Sequence, residues 1–145
     1  MIPVVFDCGI LVSAIGWAGN PRRCLRLVAD RQIRLCATPS VWDEYEGRIP
    51  AILAGQRPGV DPLPTLNWLL GVARFVNPAP LGKRRGRDLK DERYLACALG
   101  ADAEFIVSND RDLLALQKPF GIAVVTPIQL LLHVRGKGLI GKIGA

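Results

Sequence analysis

Residues 2–7 of the chain are Ile-Pro-Val-Val-Phe-Asp, an unbroken apolar run that ends in an acid. A run that is apolar at every position is typical of a parallel strand covered on both faces, whereas an edge strand needs only one apolar face. We therefore predict that this segment is a central strand of a sheet, with Asp7 at its carboxyl end. Similar short apolar runs follow at 33–37, 105–108 and 122–125, with a weaker candidate at 74–76.

Amphipathic helical patterns separate these runs, and their starts share one feature. A capping side chain stands before a proline at Asn20-Pro21, Thr38-Pro39 and Thr126-Pro127. Asn and Thr side chains accept hydrogen bonds from the first turn of a helix, and proline suits the first helical position. Alternation of strand, cap and helix is typical of an α/β domain. We predict a three-layer α/β/α domain with a central, mostly parallel sheet of four to five strands.

The length of the chain, 145 residues, fits one domain. Without an internal repeat or a visible boundary, we predict a single domain over residues 1–134. From Arg135 the sequence continues Arg-Gly-Lys-Gly-Leu-Ile-Gly-Lys-Ile-Gly-Ala, and its glycines and lysines predict a flexible basic tail over residues 135–145. The segment from Gly47 to Pro64 is rich in Gly and Pro, and its structure is the hardest to predict.

Charge and cysteine content restrict the class of protein. Lys and Arg outnumber Asp and Glu by 19 to 13, which favours polyanionic partners without establishing them. The uncharged run at residues 8–21 is shorter than the roughly 20 residues that cross a bilayer. The N-terminus shows no cationic segment and no cleavage site, so we expect a soluble, cytoplasmic protein. No CxxC spacing occurs among the four cysteines, which we predict to be buried thiols.

Several acidic residues lie beyond the carboxyl ends of the predicted strands, where ligands bind in parallel sheets. Asp7 ends the first strand, and Asp110 and Asp112 follow a later one. Asp91 begins the helix before that later strand, and Glu44 lies on the helix that starts at Thr38-Pro39. Crowded carboxylates repel one another and raise their pKa values unless a cation compensates them. Because Mg²⁺ and Mn²⁺ prefer oxygen ligands, the pattern predicts a site for one of these ions.

Each acid also has a structural alternative. Asp91 could lie at the positive end of its helix for electrostatic reasons alone, and Asp110 could cap the turn that begins at Arg111. Glu44 could be a solvated helix residue. Asp7 has the fewest alternatives, because an acid that ends a buried strand has few structural tasks.

Four blocks of sequence, in the same order, resemble PIN domains, and the likeness extends from about residue 2 to about residue 132. It is greatest to the VapC-like toxin components of bacterial toxin–antitoxin pairs. The blocks are Val-Val-Phe-Asp7-Cys-Gly-Ile-Leu-Val-Ser-Ala, Thr38-Pro-Ser-Val-Trp-Asp-Glu44-Tyr, Lys90-Asp91-Glu-Arg-Tyr-Leu-Ala-Cys-Ala, and Ala101-Asp-Ala-Glu-Phe-Ile-Val-Ser-Asn-Asp110-Arg-Asp112-Leu-Leu. The later segment Phe120-Gly-Ile-Ala-Val-Val-Thr-Pro is similar to the family's last strand and helix start.

The resemblance implies a metal-dependent endoribonuclease that cleaves RNA phosphodiester bonds as the toxin of a toxin–antitoxin pair. It implies Mg²⁺ or Mn²⁺ as the cofactor. An RNA substrate, a cognate antitoxin and a second copy of the chain in a homodimer are the implied partners. The implied catalytic residues are Asp7, Glu44, Asp91 and Asp110, and the implied metal ligands are Asp7, Asp91, Asp110 and Asp112.

Some positions depart from the family's pattern. Cys8 and Gly9 stand where the family has Thr and Asn after the first Asp. Ser108 and Asn109 replace the usual Thr and Gly before Asp110, and Ser108 keeps a hydroxyl, so we include it among the site residues. The family's Asn amide would orient an acid or a water. Gly9 therefore motivates an alternative function, a degenerate, non-catalytic PIN domain that binds RNA or a partner protein.

Two clusters of basic residues would hold an RNA backbone, with a solubilising surface as the less favoured alternative. Two other functions are disfavoured. A dehalogenase-like phosphohydrolase would need an Asp at the position of Gly9, and a dinucleotide-binding domain would need a GxGxxG loop after the first strand. The predicted RNA-binding residues are Lys83, Arg84, Arg85, Arg87 and Lys90 in one cluster, and Arg22 and Arg23 in the other.

Overall fold

The computed structural model describes the backbone of residues 1–82 and 89–144, and the side chains of residues 1–82 and 91–136. Helices and strands alternate along the chain, as the sequence predicts. In order, the elements are β1 (Ile2–Phe6), α1 (Cys8–Gly16), α2 (Asn20–Ala29), β2 (Ile33–Ala37), α3 (Pro39–Gln56), α4 (Leu63–Val72), β3 (Arg74–Phe75), α5 (Leu89–Gly100), β4 (Phe105–Val107), α6 (Arg111–Ala115), β5 (Ala123–Val125) and α7 (Pro127–Gly144).

The five strands form one parallel sheet in the order β3-β2-β1-β4-β5. Val4 and Val5 in the central strand β1 are both fully buried. Because successive side chains of a strand point to opposite faces, both faces of the sheet are covered at this point. The predicted central strand and the three-layer α/β/α class are confirmed.

The register between β1 and β4 positions the candidate site. Phe6 pairs with Val107, and the backbone N–H of Asp7 donates to the Val107 carbonyl at 3.1 Å. Both strands therefore end at the same level. The residues immediately after them, Asp7 and Ser108, are neighbours at the carboxyl edge of the sheet.

The predicted capping device is present at two of the three helix starts. Thr38 accepts a hydrogen bond from the Val41 N–H at 3.2 Å, and Thr126 accepts one from the Gln129 N–H at 3.4 Å. The second helix differs, since α2 begins at Asn20 itself and its cap is Gly19. Gly19 has φ 150°, a backbone conformation that is easy for glycine and strained for other residues.

Helix α3 continues through the Gly- and Pro-rich segment as far as Gln56, past Pro50. Ile49 and Leu53 are fully buried, so tertiary packing outweighs the low helix propensity of the segment. Helix α7 is helical through Gly144, beyond the predicted domain end at residue 134. The division into a domain and a flexible tail stays a prediction.

Two further predictions concern membrane segments and cysteines. Within residues 1–82 and 89–144, no helix has both the length and the hydropathy needed to cross a bilayer. All four cysteines are buried free thiols, as predicted.

Candidate active site

A cleft of about 420 Å³ opens at the carboxyl ends of β1 and β4. Its lining includes the four acids of the predicted catalytic set, and each comes from a different part of the fold. The predicted auxiliary ligand Asp112, on α6, is not part of this lining. The four acids are Asp7 after β1, Glu44 on α3, Asp91 in the first turn of α5 and Asp110 after β4.

Asp7 is 7% exposed and has a structural task that the sequence analysis missed. Its Oδ1 accepts a hydrogen bond from the Ile10 N–H at 2.9 Å and so caps α1, which begins at the next residue. Burial raises the pKa of Asp7 from 3.8 to about 6, although hydrogen bonds from Ser108 and Ile10 oppose the rise. The negative charges of Asp110 and Glu44 raise this pKa further.

Ser108 connects the two strand ends. Its hydroxyl donates to Oδ2 of Asp7 and accepts from the Asp110 N–H at 2.9 Å. Ser108 is fully buried, and the first oxygen of Asp7 is held by the helix cap. The orientation of the Asp7 carboxylate is therefore fixed by two donors from different elements.

Asp110 caps α6 and lines the cleft at the same time. Its Oδ1 accepts hydrogen bonds from the N–H groups of Asp112 at 2.7 Å and Leu113 at 3.4 Å. The capping alternative for Asp110 is thus present in the structure. It does not exclude a second task, because a carboxylate has two oxygens and accepts about four hydrogen bonds or metal contacts.

Glu44 is 7% exposed, so the alternative of a solvated helix residue is wrong. Its Oε2 lies 2.7 Å from Nη1 of Arg93, and its Oε1 accepts a hydrogen bond from the Tyr94 hydroxyl at 2.8 Å. Arg48 is farther away, with Nη1 3.9 Å from Oε1. Sequence reasoning missed Arg93 and Tyr94. Their position on the helix that carries Asp91, two and three residues later, is the signal that could have found them.

The Tyr94 hydroxyl also accepts a hydrogen bond from the Cys8 N–H at 3.0 Å. Burial raises the pKa of Tyr94 well above its usual range, so the hydroxyl keeps its proton. Burial also raises the pKa of Cys8 to about 11, which keeps its thiol neutral at pH 7. Next to Cys8, a Cβ built on Gly9 would lie 3.4 Å from Oδ1 of Asp7, an ordinary contact. Packing therefore does not require glycine there.

A family model described as PIN domain matches residues 3–112. The chain belongs to the PIN domain family. The match contains all four acids that line the cleft, and PIN domains as a class are nucleases that use divalent metal ions. A search of curated proteins gives no match to the chain.

The acids of this PIN domain fit a divalent ion in their chemistry, because carboxylate oxygens are the ligands that Mg²⁺ and Mn²⁺ prefer. Their arrangement is more open than a formed site. Among the residues whose positions are described, no three His, Cys, Asp or Glu side chains are grouped closely enough to hold an ion. Asp7, Asp91 and Asp110 line the same cleft and remain the candidate ligands, whereas Glu44 already faces the cation of Arg93.

The basic residues predicted to bind RNA have different surroundings. Arg22 donates to the carbonyls of Ala14 at 2.9 Å and Ile15 at 3.0 Å, so it caps the end of α1. Arg23 is exposed and donates to Asn20 at 3.3 Å. Of the other cluster, Lys83, Arg84, Arg85 and Arg87 lie outside the described residues, and Lys90 is described only by its backbone in α5.

A further arginine, Arg57, completes the end of α1. Its Nε donates to the Gly16 carbonyl at 3.0 Å, and its guanidinium lies 5.4 Å from the centre of the Trp17 ring. A helix C-terminus carries a partial negative charge, which cations stabilise. Two arginines therefore serve the fold at this point.

Proposed function

We propose that this PIN domain is a metal-dependent endoribonuclease that cleaves RNA phosphodiester bonds and serves as the toxin of a toxin–antitoxin pair. One observation carries the nuclease part. Asp7, Asp91 and Asp110 come from three separate elements and line one cleft at the carboxyl edge of the sheet. Carboxylates gathered in this way repel one another, and a bound cation removes that cost.

Asp7, Asp91 and Asp110 would hold the ion, Mg²⁺ or Mn²⁺. Such an ion supplies positive charge to the phosphate and makes a nearby water more acidic. The protein's own contribution is to present Asp7 in a fixed orientation, through the Ile10 N–H and the Ser108 hydroxyl. Arg93 and Tyr94 also hold the Glu44 carboxylate, which is a further negative charge at a fixed place on the cleft wall.

Different observations support the proposals of an RNA substrate, an antitoxin partner and a homodimer. The net charge of +6 favours a polyanionic substrate. The four sequence blocks resemble VapC-like toxins, for which an antitoxin partner, a homodimer and a cytoplasmic location are expected. Exposed apolar side chains on α7, with Ile128 at 45% and Leu132 at 59% exposure, suit a protein partner.

A second candidate is a non-catalytic PIN domain that binds RNA or a partner protein. Two observations favour it, Gly9 in the cleft and the cation of Arg93 beside Glu44. Arg93 already compensates one of the acids, so the cleft has less need of an ion.

Cleavage of a labelled RNA by the purified chain separates the two candidates. We expect cleavage with Mn²⁺, none with EDTA, and none from Asp7→Asn in Mn²⁺. Asp43→Asn is the matched control, because Asp43 is an exposed acid on α3. RNA that is bound but remains intact under all metal conditions would support the non-catalytic candidate instead.

A further inference from the structure

Tyr94 touches two parts of the cleft that are far apart in the sequence. Its hydroxyl accepts from the backbone of Cys8, at the start of α1, and donates to Glu44 on α3. The residue itself is on α5, is 3% exposed and lines the cleft. One side chain thus joins α5, which carries Asp91, to Glu44 on α3 and to the start of α1, which Asp7 caps.

The direction of these hydrogen bonds carries the argument. A hydroxyl has one proton, and the Cys8 N–H is itself a donor, so the tyrosine proton must point to Glu44. The first N–H groups of a helix have no partner inside the helix, and Tyr94 supplies one for Cys8. The position of the Glu44 carboxylate is therefore fixed relative to the helix start that Asp7 caps.

Arg93 holds the other oxygen of Glu44 at 2.7 Å. An ion pair attracts over a range of distances and directions, whereas a hydrogen bond between two buried groups is directional. Arg93 therefore compensates the charge of Glu44 at one oxygen, and Tyr94 fixes the other oxygen by a directional hydrogen bond.

We propose that Tyr94 is a positioning residue of the nuclease centre, one that holds Glu44 in register with Asp7. The proposal rests on the proposed function. Glu44 is not one of the three candidate ligands, but its carboxylate lies on the wall of the same cleft. Groups that orient the residues around a metal site typically change affinity or activity by about 10- to 100-fold when they are removed. Loss of the Tyr94 hydroxyl should therefore weaken both metal binding and the cleavage step, with the fold retained.

Tyr94→Phe removes the hydroxyl and keeps the ring. We expect the Kd for Mn²⁺, measured by calorimetry without RNA, to rise about 10-fold, and kcat for RNA cleavage to fall about 10-fold. KM should stay within about twofold, since no substrate contact is assigned to Tyr94. In a Glu44→Ala background, Tyr94→Phe should change neither the Kd for Mn²⁺ nor kcat any further, because the carboxylate that Tyr94 orients is already gone.

Tyr45→Phe is the matched control. Tyr45 is fully buried, its hydroxyl donates to the Phe6 carbonyl, and it is not part of the cleft lining. Its loss should lower Tm by about 3 °C through a lost buried hydrogen bond, with the Kd for Mn²⁺ and kcat unchanged.

Equal effects of Tyr94→Phe and Tyr45→Phe on the Kd and on kcat would overturn the proposal, as would an undiminished effect in the Glu44→Ala background. If the wild-type chain binds Mn²⁺ but cleaves no RNA, the proposed function fails. In that case the Kd values for Mn²⁺ of the wild type, Tyr94→Phe and Tyr45→Phe test the positioning role of Tyr94 without the cleavage data. A wild-type chain that neither binds Mn²⁺ nor cleaves RNA overturns both proposals.

Discussion

Arg93 and Glu44 form an ion pair between α5 and α3, with 2.7 Å between Nη1 and Oε2, and Glu44 lies on the wall of the cleft. The carboxylate is almost fully buried, whereas the Arg93 side chain is 31% exposed. The protein thus supplies a cation of its own to Glu44, one of the four acids that line the cleft.

Arg93→Met should destabilise the protein by about 2 kcal/mol at pH 7, because it leaves the buried Glu44 charge without its cation. The figure is below that for a fully buried pair because Arg93 is partly exposed. Urea unfolding in EDTA measures it. Arg48→Met is the control and should cost less than about 0.5 kcal/mol, since Arg48 is 3.9 Å from Glu44 and half exposed. When Glu44→Gln is added to Arg93→Met, it should restore most of the lost free energy of unfolding. A double variant as unstable as Arg93→Met would contradict the pairing.

Asp7→Asn should stabilise the metal-free protein above pH 6. The pKa of Asp7 is raised from 3.8 unfolded to about 6 folded, so the folded state binds the proton more tightly. The contribution of protonated Asp7 to the free energy of unfolding is fully present below pH 4 and is lost as the pH rises through 6. The variant, which does not titrate, should be more stable than wild type by about 2 kcal/mol at pH 7.5 and similar to it at pH 4. Thermal unfolding in EDTA at both pH values measures this, and a difference independent of pH would contradict it.

Ser108→Ala should lower kcat by about 10-fold or more, because Oδ2 of Asp7 loses the donor that orients it. Ser108→Thr keeps the hydroxyl and should retain most of the activity. Steady-state RNA cleavage in Mn²⁺ compares the two variants, with thermal unfolding as a check on the fold. Equal activities of the Ala and Thr variants would show that the hydroxyl is not needed.

Gly9→Asn should fold, because a Cβ at this position meets only Oδ1 of Asp7 at 3.4 Å. Gly9 is exposed and lies in the first turn of α1, where other residues also fit. Replacing this glycine by any residue with a side chain reduces the conformational freedom of the unfolded chain. Gly9→Ala shares this effect without adding a polar group and is the matched control. We expect the Asn variant to bind Mn²⁺ more tightly than the Ala variant, by about threefold or more in calorimetry. Equal affinities would mean that an amide here contributes nothing.

The parts of the fold that depend on local pattern were predictable. Five apolar residues in a row predicted β1 at the centre of the sheet. Parallel strands bring the residues after their carboxyl ends to one edge of the sheet. The positions of the cleft acids Asp7 and Asp110 were predictable from that rule alone.

The parts that depend on contacts between distant segments were not predictable in this way. The Glu44–Arg93 pair joins α3 and α5, which are 49 residues apart at these positions, and no spacing rule covers such a separation. The continuation of α3 through Pro50 depends on the core residues against which Ile49 and Leu53 pack. The cap formed by Asp7 was missed for another reason, because a helix that begins directly after a strand leaves no linker to reveal its start.

The arginines at the end of α1 bear on how strongly ionic strength would affect RNA binding. Arg22 and Arg57 already donate to carbonyls of that helix, and Arg93 is paired with Glu44. Each phosphate that a protein cation contacts on single-stranded RNA displaces counterions from the RNA and contributes about 0.7 to the slope of log affinity against log salt. Arginines engaged within the fold are less able to make such contacts. The salt dependence of binding should therefore be shallower than a count of 19 basic residues implies.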